Sequence, residues 1–197
     1  MAAPSPADEW LRLLQDVEVA RNYPAVYALD TGPHLRQPFL DELLASLLFI
    51  RLAALVDSAL QALIAQGGLT SPKTRRKKWL DLNDRIQILE HHGCLPPDHV
   101  KRLHQIRTWR NKLAHTAEPQ YANWALLDQA VSIAEAALQH LTVVGARPKY
   151  EFFAEGSKAE ASSDPAILYS QDYKAGVKLN GKEELTFHWS RSVLNKA

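Results

Sequence analysis

Along most of the chain the apolar residues recur every three or four positions, the period of a helix with one buried face. Ser5-Pro6-Ala7-Asp8 opens the first such segment with a hydroxyl cap, a proline at the first helical position and an acid two residues on. Trp10, Leu13, Leu14 and Val17 form its stripe, which fades at Asn22-Tyr23-Pro24 into a loop containing Asp30-Thr31-Gly32-Pro33. A second helix, from about Phe39 to Gln66, is apolar around most of its circumference, the mark of a helix at the centre of a bundle. Gly67-Gly68 caps its end. A third spans Trp79 to His92, turns Leu82, Ile86 and Leu89 inward, and ends at Gly93. The fourth starts at Pro96-Pro97-Asp98. The fifth, capped by Asn123, carries Leu127, Ala130, Val131, Ala134, Leu138 and Leu141 and stops at Gly145. Five helices with short connections predict an all-α, five-helix up-and-down bundle over residues 1–145.

From Ala146 the period changes. Glu155 to Asp164 is small and polar and reads as a linker, after which Val177-Lys178-Leu179 and Leu185-Thr186-Phe187-His188-Trp189 alternate as strands do. A two-residue Asn180-Gly181 turn would set Val177 opposite Glu184 and waste the apolar face. A three-residue loop, Asn180 to Lys182, pairs Val177 with Leu185, Ala175 with Phe187 and Tyr173 with Trp189. Residues 146–197 are therefore expected to form a linker and a small C-terminal β-hairpin extension.

Composition narrows the class. The chain has 197 residues with 46% hydrophobic content, enough for a core, and its net charge of +1 neither demands nor excludes a nucleic-acid partner. A lone cysteine, Cys94, excludes an internal disulfide framework and suits a reducing compartment. MAAPSPADEW lacks the basic and apolar regions of a signal peptide. The longest apolar stretch, Leu43 to Leu55, is broken by Ser46 and Arg51 and is short for a bilayer. The expectation is a soluble, cytoplasmic protein that does not engage a membrane.

The chemistry concentrates in Val100 to Thr116, VKRLHQIRTWRNKLAHT. On a helical wheel Val100, Leu103, Ile106, Leu113 and Ala114 share one arc with Trp109 at its edge, and Arg110 falls near the arc's middle. An arginine aimed into an apolar face is costly unless an anion or acceptor meets it. His104, Arg107, Asn111 and His115 form a second stripe at spacings of three or four. Arg51, on the less apolar strip of the second helix with Ser46, Asp57, Ser58 and Gln61, reads as the partner of an acid on a neighbouring helix or as a second phosphate contact. Lys73 to Lys78, KTRRKK, reads either as a solvated surface run or as an electrostatic collar for a polyanion. His91, His92, Cys94 and His99 carry metal-ligand types, but their spacing matches no common site, so no metal is expected.

RNKLAH, preceded by LHQIR, resembles the Arg-x4-His signature of the HEPN superfamily of small helical ribonucleases. That resemblance implies catalytic roles for Arg110 and His115 with Asn111 in support; Arg107, His104, Arg51 and Lys112 are the substrate contacts expected beside them. It implies an RNA substrate, a homodimer with a composite site, 2′,3′-cyclic phosphate and 5′-hydroxyl ends, and no cofactor. It further implies a prokaryotic toxin or defence effector restrained by a cognate antitoxin or other regulatory protein. The chain departs from the toxin pattern at Ala117, where many members paired with a nucleotidyltransferase carry tyrosine. The alternative reading is a non-catalytic RNA- or nucleotide-binding or dimerisation module within a larger complex.

Overall fold

The computed structural model describes residues 4–31, 38–75, 77–115, 121–156, 160–161 and 167–194. Five helices come first among them: α1 Pro6–Thr31, α2 Pro38–Gly67, α3 Leu82–His91, α4 Pro97–His115 and α5 Trp124–His140. Four strands follow: β1 Tyr150–Gly156, β2 Glu160–Ala161, β3 Ile167–Leu179 and β4 Lys182–Leu194. The chain divides into two compact units, Met1–Leu14 with Pro38–Arg147, and Gln15–Gln37 with Pro148–Ala197.

In the helical unit α2 packs on α3, α4 and α5, and α4 also meets α3 and α5. Phe49, Leu52, Val56 and Leu60 of α2 are fully buried, as are Ile86 of α3, Ile106 of α4 and Leu127 and Leu138 of α5. That central position explains the composition of α2. Over Asp41–Gly67 it is long and apolar enough to cross a membrane, with a window of mean hydropathy 2.0, but half of that window is buried inside the protein. The stretch from Leu43 to Leu55, with its breaks at Ser46 and Arg51, thus understates the helix. Polar groups inside it are partnered: buried Ser46 accepts from the Ala122 N–H at 2.8 Å, and Asp57 receives the guanidinium of Arg85 from α3.

Local chemistry sets the helix ends. Ser5 Oγ accepts from Asp8 N–H at 3.2 Å, while Asp8 accepts from Ser5 N–H at 3.2 Å, a reciprocal cap on α1. The helix runs on through Pro24 to Thr31, past the expected end at Asn22, because a proline removes one backbone donor without forbidding the turns that follow. The Gly32-Pro33 end of the expected loop lies outside the described residues. Gly68 and Gly93 take the left-handed conformation, at φ 58° and 67°, just beyond α2 and α3. Thr142, not Gly145, does so after α5, at φ 56°.

The sheet is antiparallel. β4 pairs with β3 along one edge, and β1 and β2 lie along the other, so the sheet is three strands wide. Two expectations are corrected. The supposed linker, Glu155 to Asp164, contains the last two residues of β1 and both residues of β2, because Glu155 and Gly156 pair with Lys174 and Tyr173 of β3, and Glu160 and Ala161 pair with Ser170 and Tyr169. The turn is the two-residue Asn180-Gly181, with φ of 52° and 76°, and not a three-residue loop. The apolar register survives: Val177, Ala175 and Tyr173 face Leu185, Phe187 and Trp189. A bulge between Val177 and Lys178 reconciles the two, since Lys178 pairs with Glu183 and Val177 with Leu185, leaving Glu184 as the extra residue.

Candidate functional site

Helix α4 carries the candidate site, and its length decides what is covered. It has 19 residues against 10 in α3. At about 1.5 Å per residue, α3 can shield only about half of it. Val100, Leu103 and Ile106, in the first half, are buried. Beyond them the same face opens: Leu113 is half-buried, and Arg110 and Ala114 are exposed. The expected arginine sunk in an apolar face is therefore corrected. Arg110 lies on the inward arc by phase, but it sits where that arc has run past its neighbours. Trp109, on the far edge, packs edge-on against Phe49 of α2, ring centres 6.4 Å apart.

The second stripe is more enclosed. His104, Arg107 and Asn111 are all half-buried. Nδ1 of His104 and Nε of Arg107 are buried and meet no hydrogen-bond partner among the described residues. Burial holds the His104 imidazole below its ordinary pKa, the Arg107 charge lowers it further, and Glu90 of α3 opposes both. His104 is thus held toward its neutral form beside a guanidinium with an unused donor. His115 is the last residue of α4; its side chain lies outside the described residues, as do Thr116 and Ala117. Lys112 is exposed.

Arg51 does not join this group. Its guanidinium lies 3.7 Å from Glu9 of α1. It follows Phe49 by two residues on α2, about 200° around the helix, which aims it away from the face that meets Trp109. Of the histidine-cysteine cluster, the His91 and His92 rings adjoin at 5.2 Å, and His92 Nε2 lies 2.7 Å from the Thr70 carbonyl oxygen. His99 turns instead to His140. Among the described residues no three of these types gather as metal ligands.

Sequence reasoning missed how the basic run is built. Ser71 and Thr74 are buried with their hydroxyls 2.8 Å apart, and the N–H groups of Thr74 and Arg75 both donate to the Ser71 carbonyl. Lys77 reaches Asp84 at 2.5 Å. Asp84, only 3% exposed, also closes a capping box with Asp81. Helix α3 therefore begins at Leu82, three residues later than expected, and Trp79 stands outside it with 81% of its surface exposed. Asp81-x-x-Asp84 was the sequence signal that places this start.

Residues 43–155 match a family described only as a domain of unknown function, DUF4145, over more than half of the chain. The chain belongs to the DUF4145 family. The DUF4145 match takes in Arg51, the basic run and every candidate residue on α4, and it leaves out α1, β3 and β4. No curated protein and no solved structure matches the chain.

Proposed function

We propose that this DUF4145 protein is a metal-independent endoribonuclease of the HEPN type, an up-and-down helical bundle acting as a homodimer. The observation that carries the reading is the open end of α4. There an exposed Arg110 adjoins Asn111, with Arg107 and His104 one and two turns back, in the stretch ending at His115. A polar array of this kind on a helix end that its own bundle leaves uncovered suits a phosphodiester.

Cleavage without a metal needs a base to take the 2′-hydroxyl proton, a cation for the charge on the phosphorane oxygens, and an acid to protonate the leaving 5′-oxygen. In this reading Arg110 holds the non-bridging oxygens, and Asn111 orients substrate or ring. His115 and the same imidazole from a second copy divide the base and acid roles. The 2′-oxygen bonds to phosphorus as the 5′-oxygen leaves, giving a 2′,3′-cyclic phosphate and a 5′-hydroxyl. Helix geometry favours two copies. Residues five apart differ by about 140° around the axis and roughly 7.5 Å along it, so positions 110 and 115 lie on different faces of one helix. A second helix end supplies the missing half, and the exposed Ala114 leaves room for its approach. Such an activity suits a toxin or defence effector restrained by a partner.

The test is cleavage of unmodified RNA in excess EDTA, with product ends identified by mass spectrometry. Arg110→Ala and His115→Ala should each lose cleavage while keeping the wild-type melting temperature. If wild-type protein binds RNA yet yields no cyclic phosphate ends, the nuclease reading fails in favour of the binding module.

A further inference from the structure

The basic run and Trp79 were not needed for the proposed cleavage, and their arrangement asks for its own explanation. A tryptophan 81% exposed is the largest apolar side chain this protein leaves in water among the described residues. The loop around it is pinned, not loose. Ser71 and Thr74 lock its base through buried hydroxyls, Lys77 N–H donates to the Thr74 carbonyl at 2.9 Å, and Lys77 Nζ is tied to Asp84. With Lys77 committed to folding, Lys73, Arg75 and Lys78 remain exposed in the run that leads to the tryptophan. Lys78 Nζ stands 6.0 Å from the Trp79 ring centre. Lys73 also lines a cleft of about 480 Å³ with Ser71, Pro72, Gln87, Glu90 and His91.

We infer that this loop is a docking platform for single-stranded RNA, in which a base stacks on Trp79 and the flanking phosphates run over Lys73, Arg75 and Lys78. A flat aromatic face beside clustered cations is the combination that binds single strands without reading sequence. Bases in a duplex are already stacked on one another, so the platform selects unpaired segments. An anionic membrane is the poorer fit. One indole on a short loop offers little apolar surface to insert, and the apolar face of α3, which follows it, is already buried inside the protein. The proposal takes from the ribonuclease reading only the identity of the polyanion as RNA. It gives that reading a substrate class, RNA with unpaired segments.

The test uses the full chain and a fluorescein-labelled 2′-O-methyl oligouridine, which binds but cannot be cleaved. Trp79→Ala should weaken binding by about five-fold to a hundred-fold and Trp79→Phe by much less, from the range for one stacked base. Substituting Lys73, Arg75 and Lys78 together by glutamine should reduce the slope of log Kd against log salt by about 2. A paired oligonucleotide should be insensitive to Trp79. Wild-type affinity in Trp79→Ala, or binding to phosphatidylserine vesicles with none to the oligonucleotide, would overturn the platform. A wild-type chain that binds through Trp79 yet leaves unmodified RNA intact sinks the nuclease reading and supports this one. Cleavage with binding indifferent to Trp79 does the reverse.

Discussion

Asp84 joins the helical unit to the basic loop, so its removal tests the account of both. The carboxylate is nearly inaccessible and does two things: Oδ2 accepts from the Asp81 N–H at 3.3 Å, and Oδ1 accepts from Lys77 at 2.5 Å. Its own N–H donates to Asp81 at 2.9 Å, a bond that Asp84→Ala preserves. What Asp84→Ala takes away is half of the capping box and the loop's anchor. The lost bond to a charged acceptor is worth about 1.5–3 kcal/mol. The cost of keeping a carboxylate out of water, which the substitution relieves, offsets part of that. The net is a destabilisation of roughly 1–2 kcal/mol, because Asp81 is exposed and water can serve its freed N–H. For a chain of this size that lowers the melting temperature by roughly 2–8 °C.

Two assays separate the two roles. Circular dichroism melting reads the cap, and the rate of trypsin cleavage within residues 73–78 reads the anchor. Lys77→Gln should speed that cleavage at the remaining sites and lower the melting temperature by less than Asp84→Ala, since the buried carboxylate loses its counter-charge but keeps its bond to the Asp81 N–H. The pH dependence has a definite sign. The hydrogen bond to Asp84 raises Lys77 above its ordinary 10.5, so the pair's contribution is full below that value and is lost as pH climbs through the raised one. If Asp84→Ala melts with wild type and is cut no faster, the carboxylate holds neither structure and the rigid-platform argument loses its basis.

Three further outcomes follow from particular residues. Thr142→Gly should raise the melting temperature by a few degrees, because a β-branched residue at φ 56° bears roughly 1–2 kcal/mol of strain, which outweighs the greater freedom glycine gives the unfolded chain; a lower melting temperature would contradict this. Gly176→Ala should abolish amide-exchange protection along β3 and β4, since the new Cβ would lie 1.9 Å from the Leu185 carbonyl oxygen, a backbone atom that cannot swing aside; persistent protection would show that the register is wrong. His104 is held below its ordinary 6.5, first by burial and then by Arg107, so the stability its neutral form supplies is present above 6.5 and lost as pH falls through the lower folded value. Melting of His104→Asn between pH 7 and 5, measured beside wild type, should show a shallower fall; parallel curves would mean that the ring is solvated.

The parts of this fold that could be read in advance are those in which one residue type has one job. Helix stripes such as Leu127, Ala130, Val131, Ala134 and Leu138 are buried as their spacing demands, and Asn123 caps α5 by accepting from Leu126 N–H at 2.8 Å. The reading failed wherever a residue's surroundings depend on the length of a neighbouring element. Arg110 has the phase of a core residue and the exposure of a surface one, because α3 stops short of it. Local competition hid the start of α3. Trp79 looks like the first apolar residue of a helix until Asp81 and Asp84 are seen to cap each other. The same capping pair leaves the tryptophan outside among lysines. The hairpin shows a third way to miss: the apolar register was right and the turn wrong, because a bulge absorbs the residue that the Asn180-Gly181 turn leaves over. In the last two cases the information was local but belonged to a pair of residues, not to a single position. An arginine whose own bundle ends before covering it is no packing error once a second helix end is allowed to finish the face, and that requirement ties the chemistry proposed for α4 to assembly.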